Sequence, residues 1–158
     1  MEYIIREISE EEYDLLEDFL YEAIFIPEGA ASPPKTITKK PELQIYITGF
    51  GKREDDIGLV AEVDRKVVGA VWVRIMDDYG HIDDKTPSFA VSLYKAYRGA
   101  GIGTALMEEM LCILKRKRYN QASLAVQKTN YAVNMYKKLG FEIVDENDEE
   151  YIMVCRLQ

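Results

Sequence analysis

Three glycines fall within five residues in the stretch YKAYRGAGIGTALMEEML, Tyr94 to Leu111, and the chain runs from them straight into a helical apolar pattern. A helix N-terminus leaves its first backbone N–H groups unpaired and carries a partial positive charge, so glycines there let an anion approach the amides closely. Spacing separates the anions. A dinucleotide fingerprint requires G-x-G-x-x-G, but from Gly99 the chain reads G-x-G-x-G-T, and it does so after a hairpin instead of in an opening β-α-β unit. A Walker loop requires G-x-x-x-x-G-K-[ST], and no lysine follows Gly103. Both nucleotide readings weaken, and a turn that binds nothing stays open beside them.

The spacing that does fit is Arg98-x-x-Gly101-x-Gly103. It resembles the pyrophosphate loop, [QR]-x-x-G-x-[GA], of the Gcn5-related N-acetyltransferase (GNAT) superfamily. A second stretch, TNYAVNMYKKLGFEIV from Thr129 to Val144, resembles that family's other signature, an Asn followed by Ala, Tyr and a Gly-Phe pair. Ala132, Tyr136, Gly140 and Phe141 fall at the family's offsets, whereas Thr129 occupies the place of the Asn and Asn130 follows it. The two motifs and the order of elements extend the resemblance over nearly the whole chain.

The resemblance implies an N-acetyltransferase that moves an acetyl group from acetyl-CoA to a primary amine by direct attack in a ternary complex, without a metal. It places cofactor contacts at Val91, Ser92 and Leu93, at Arg98, Gly99, Ala100, Gly101, Ile102, Gly103 and Thr104, and at Thr129, Asn130 and Tyr136. The Leu93 amide would face the thioester oxygen, Tyr136 would protonate the departing thiolate, and Lys95 and Arg98 would add charge near the phosphates. No acid lies on the strand from Thr86 to Leu93 and no glutamate in SLAV of the next, so His81, Asp83, Asp84 and water remain the candidates for the base. Tyr136 also belongs to an i, i+3, i+4, i+7 apolar stripe with Ala132, Met135 and Leu139, which is a core reading of the same residue. By the family's arrangement the acceptor would enter opposite the pantetheine, beside the first two helices, with Tyr21, Glu22, Phe25 and Glu28, and the last hairpin, with Asp145, Glu146 and Glu149. These residues suit a cationic amine, either a small molecule or a peptide. A domain that binds or senses acetyl-CoA without catalysis is the alternative, and a nucleotide-binding module a more distant one. The superfamily commonly forms homodimers.

The elements that must position these groups read as β-α-α-β-β-β-α-β-α-β-β. YIIREIS alternates as a strand, and Ser9 with the acids after it opens a helix carrying Tyr13, Leu16, Leu20 and Ile24 on one face. Ile26 to Pro41 holds four of the five prolines and reads as a loop. ELQIYITGFG is a short helix, and two apolar strands turn at Asp64 to Lys66. SFAVSL, a helix from Ile102 to Arg118, QASLAVQ, NYAVNMYKKLG, FEIVDE and EYIMVCRL complete the order. The expected architecture is α/β (α+β): one domain over residues 1–158, with a mixed, mostly antiparallel sheet of about seven strands and four helices on both faces.

Composition limits the partners. With 158 residues, 47% hydrophobic and 30% charged, the chain is an ordinary globular length and mix. A formal net charge of −8 argues against nucleic acid and acidic membrane surfaces and favours a cationic partner. Residues 1–80 carry eighteen acids and nine bases, residues 81–158 ten and eleven, so the second half suits an anionic cofactor and the first a cationic substrate. No run of about 18 apolar residues and no signal-peptide pattern is present, so a cytoplasmic location is expected. Cys112 and Cys155 have no metal-ligand spacing and read as buried thiols.

Overall fold

The computed structural model describes all residues 1–158. β1 (Ile4–Glu7) leads to a 3-10 turn at Glu10–Glu12 and α1 (Leu15–Ala23), then a 3-10 turn at Lys35–Lys39 and α2 (Pro41–Gln44). β2 (Ile57–Val63), β3 (Lys66–Arg74) and β4 (Ser88–Leu93) precede α3 (Ile102–Arg116). β5 (Gln121–Gln127), α4 (Ala132–Lys138), β6 (Phe141–Glu146) and β7 (Glu150–Arg156) follow. The expected order is therefore found. Several boundaries differ: Ser9 opens the Glu10–Glu12 turn and α1 begins only at Leu15, leaving Tyr13 and Ile24 outside it. The long proline-rich loop contains the Lys35–Lys39 turn, and its last proline, Pro41, opens α2, where its missing N–H costs nothing; α2 ends at Gln44, short of the expected helix.

The seven strands form one sheet in the order β1-β2-β3-β4-β5-β7-β6. Five of the six pairings are antiparallel; β4–β5 alone is parallel. The β2–β3 turn places Asp64 and Arg65 at φ 50° and 67°, the twist a tight hairpin requires. Alternation along the central strands sends Leu59, Ala61, Val71 and Val73 to one face, against Leu106, Met107 and Met110 of α3. Val60, Ala70 and Trp72 go to the other, against Leu16, Phe19 and Leu20 of α1. Both faces are thus covered, and each fully buried large side chain contributes about 1.5–3 kcal/mol. No helix is long and apolar enough to cross a membrane.

Cys155 is buried, but Cys112 is exposed, contrary to the expectation for both thiols. The reason is helical phase: α3 buries Leu106, Met107, Met110 and Leu114, and residue 112 lies about 200° from residue 110, on the solvent side.

A buried ion pair ties the loop after α2 to the sheet. Arg74 Nε and Nη2 donate to Asp56 Oδ1 and Oδ2 at 3.1 and 3.0 Å, and Nη1 donates to the carbonyls of Ile45 and Thr48 at 3.0 and 2.9 Å. Trp72 Nε1 donates to Tyr46 O at 3.0 Å. Together these bonds fix Tyr46 over the sheet.

Candidate active site

β4 and β5 share a single bridge, Ser88 with Ser123, and separate beyond it. Tyr94 N donates to Val68 O and Ser123 N to Pro87 O, so by strand alternation even-numbered residues of β4 bond to β3 and odd-numbered ones face β5. The amides of Val91 and Leu93 therefore point into the gap where no strand meets them.

The gap is continuous with two cavities. One is a groove of about 860 Å³ between the end of α1, the end of β4, the glycine loop and the start of α4. The other, about 270 Å³, passes through the sheet: Phe89, Leu124 and Val126 from the α3 side and Leu20 and Tyr46 from the α1 side line the same space. Ala23, Ile24, Phe25, Val91, Asn130 and Tyr136 line both, which marks their junction.

At the outer end of the groove, Gly99 and Gly101 sit at φ +79° and +85°, and nothing lies within 4 Å of where a Cβ would project. Glycine is required there by backbone conformation, not by lack of space. Gly101 is the N-cap of α3, and the first helical bond runs from Ala105 N to Gly101 O. The amides of Ile102, Gly103 and Thr104 are left as the free donors of a helix start. The side chain of Ile102 is fully buried, so only its amide can serve a ligand.

Arg98 does not extend its charge freely into this groove. Its Nε donates to Leu93 O at 3.0 Å, and Nη2 donates to Glu22 O and Glu22 Oε1 at 3.1 and 3.2 Å. The guanidinium clamps the end of β4 to α1, and Glu22 compensates its charge. Glu22, expected on the acceptor side, thus shares its carboxylate with Arg98 while still lining the groove. Ser92 Oγ donates to Phe19 O at 2.6 Å, a second link from β4 to α1.

Of the expected contacts, Val91, Ser92, Leu93, Arg98, Gly99, Gly101, Gly103, Thr104, Asn130 and Tyr136 line the groove, as do Lys95, Tyr21, Glu22 and Phe25. Ala100, Ile102, Thr129, Glu28 and His81 line neither cavity. Thr129 is exposed, and Asn130 Oδ1 accepts from Ala132 N at 2.9 Å, holding the turn that leads into α4. Glu28 is exposed on a turn of the loop after α1. His81 Nδ1 lies 2.9 Å from Met76 O, so Nδ1 carries the proton, and Nε2 lies 3.8 Å from Asp84 on the outside of the loop.

Tyr136 is 9% exposed, and burial alone pushes its hydroxyl up to about 12. No hydrogen bond or charge acts on it within the chain. Its ring packs edge-on against Phe141, centroids 6.0 Å apart.

Three site residues escaped the sequence reading. Tyr46 and Glu150 line the smaller cavity, and Asp78 stands behind Tyr46. The Tyr46 hydroxyl donates to Asp78 Oδ2 at 3.1 Å and Ser88 Oγ to Asp78 Oδ1 at 3.2 Å. Burial raises Asp78 above the ordinary carboxylate range against the pull of these donors. Burial, then the charges of Glu149 and Asp78, raise Glu150 as well. The signal for Glu150 was in the strand alternation: Met153 and Cys155 of β7 join the α3-side core, so Glu150, of opposite parity, faces the α1 side. Asp78 and Tyr46 carried no such signal, because their loops have no period.

Comparison with known proteins agrees with this geometry. The model of the acetyltransferase (GNAT) family matches residues 13–141. An N-alpha-acetyltransferase of Sulfurisphaera tokodaii is 32% identical over 114 residues, 62% of this chain and 68% of that protein. An uncharacterized N-acetyltransferase of Archaeoglobus fulgidus is 27% identical, covering 82% of this chain and 88% of that one. Among solved structures, the PaiA N-acetyltransferase of Thermoplasma acidophilum, in complex with coenzyme A, shares the fold at TM-score 0.72, with 22% identity over 99% of both chains. The family match runs from the turn before α1 to the first residue of β6, across the glycine loop and the gap beyond it, and the chain belongs to the acetyltransferase (GNAT) family as an acetyltransferase enzyme.

Proposed function

We propose that the protein transfers an acetyl group from acetyl-CoA to the primary amine of a cationic acceptor, by direct attack while both are bound. The carrying observation is the continuity of three features: free amides at the start of α3, a groove along the splayed edge of β4, and the partnerless hydroxyl of a buried tyrosine ring, open to the space where the two cavities meet.

The residues present fit acetyl-CoA, which would supply an activated acetyl thioester. Amides of Gly99 to Thr104 would hold its pyrophosphate through the partial positive charge of the helix start, which is why the net charge of −8 is no obstacle. The Val91 amide, open on the β5 side, would pair with the amide-bearing arm much as an added strand does. The Leu93 amide would stabilise negative charge developing on the carbonyl oxygen. Tyr136 stays protonated at neutral pH, burial further disfavouring its anion, and would give its proton to a leaving sulfur. The acceptor would enter by the smaller cavity, on the opposite side of the gap.

Purified protein is incubated with acetyl-CoA and a panel of primary amines, and free thiol is measured. Amine-dependent thiol release is expected. Thermal protection by acetyl-CoA without thiol release from any amine would refute transfer in favour of a binding or sensing role.

A further inference from the structure

The smaller cavity contains a carboxylate with no partner. Glu150 enters none of the salt bridges of the chain, and only unfavourable influences act on its anion: burial and the charges of Glu149 and Asp78. Every titratable group that faces it is acidic or phenolic: Glu149 from the β6–β7 turn, Asp78 and Tyr79 from the loop after β3, and Tyr46 from the segment after α2. Lys128, across the β5–β7 end, is engaged elsewhere, 3.0 Å from Glu146 and over the ring of Tyr151.

A second observation points to a ligand in this space. Tyr136, nine-tenths buried, turns a hydroxyl without a partner into the same cavity from the other face of the sheet. An acid of high proton affinity on one side of the gap and an uncompensated carboxylate on the other are the two poles that acyl transfer to an ammonium requires.

We propose that Glu150 is the proton acceptor for the entering ammonium group, and that Asp78, held by Tyr46 and Ser88, is a positioning residue that keeps the cavity selective for a protonated primary amine. This rests on the acetyl transfer proposed above. One proton passes from the ammonium nitrogen to Glu150, and the freed lone pair forms the new carbon–nitrogen bond. The carbon–sulfur bond breaks with its electron pair on sulfur, which takes the Tyr136 proton. The second proton lost by nitrogen restores Tyr136, and Glu150 releases the first to solvent. The balance is ammonium plus thioester giving amide, thiol and one proton. His81 has no part in it.

The test compares wild type with Glu150→Gln, using butylamine, protonated at neutral pH, and 2,2,2-trifluoroethylamine, largely neutral there. For Glu150→Gln at pH 7, kcat/KM is expected to fall about 100-fold with butylamine but less than about threefold with trifluoroethylamine, which needs no base. The acid limb of the wild-type butylamine profile should disappear, with rescue at alkaline pH. Asp78→Asn removes a like charge facing Glu150 and should move that limb to lower pH. A readout independent of turnover is nuclear magnetic resonance of the chain without cofactor: butylammonium should shift the Tyr46 and Glu150 amide signals in wild type and not in Glu150→Gln. An active wild type matched by Glu150→Gln on both amines, or a variant equally impaired on both, overturns the assignment to Glu150. Absence of thiol release from wild type with every amine instead overturns the underlying transfer reaction.

Discussion

Replacing Tyr136 by Phe removes one oxygen that bonds to nothing in the chain, so stability and chemistry can be read separately. The ring remains buried and keeps its edge-on packing against Phe141. At neutral pH the variant should unfold within about 0.5 kcal/mol of wild type, since no hydrogen bond is lost. Alkaline pH should distinguish them. Burial raises the hydroxyl from 10.0 to about 12, so in wild type the stability of the neutral buried phenol is complete below pH 10. As pH rises from 10 toward 12, the unfolded chain loses this proton while the folded chain keeps it. The folded state is penalised, by about 1.4 kcal/mol at pH 11, one unit above the unfolded value at 1.36 kcal/mol per unit. Tyr136→Phe should lack that loss, and urea unfolding at pH 8 and pH 11 measures the difference. Acetyl transfer at pH 7.5 should fall about 10- to 100-fold without vanishing, at the weak end of acid catalysis because a thiolate departs tolerably unaided. Unchanged turnover, or a large loss of stability at pH 8, would refute the reading of Tyr136 as an unpartnered acid at the gap.

Other perturbations follow from the same bonds. Asp56→Asn leaves the Arg74 guanidinium, 1% exposed, without its anion and should cost about 3–5 kcal/mol in urea unfolding. Gly101→Ala forces a Cβ onto φ +85°, for about 1–2 kcal/mol of strain; relief of that strain turns the α3 amides, and the KM for acetyl-CoA should rise with little change in kcat. Glu12 is held down to about 2, chiefly by the Arg6 side chain 2.7 Å away. Its contribution is present above pH 4.5 and lost as pH falls from there toward 2. Because the pair is partly exposed, Glu12→Gln should remove no more than about 1 kcal/mol of acid-dependent stability, read as a flatter unfolding profile between pH 5 and pH 2.5.

The sequence determined whatever depends on local spacing. Periods of two and 3.6 placed the strands and the long helix to within about two residues, because burial of both sheet faces leaves its mark on every second or third side chain. Glycine at 99 and 101 was legible because the loop demands a positive φ that other residues resist. Tyr136 was legible through its offset from the Gly140-Phe141 pair, although the apolar stripe around it read equally well as core. Position after folding separates the two: Tyr136 is core by packing and open at its hydroxyl.

Tertiary structure alone decided the partners of charges. Arg98 and Glu22 are 76 residues apart, and nothing in either neighbourhood shows that they neutralise each other. Asp78, Tyr46 and Glu150 come from two aperiodic loops and the end of the last strand; Arg74 and Trp72, by binding the carbonyls around Tyr46, bring the phenol to the acid. His81 drew notice as the only histidine, yet its ring is spent on Met76 O outside the cavities. Hydrophobic pattern is a one-dimensional record of burial and survives in the sequence. The pairing of polar groups is set by where the strands part and which loops are tied over the gap, which requires the folded chain.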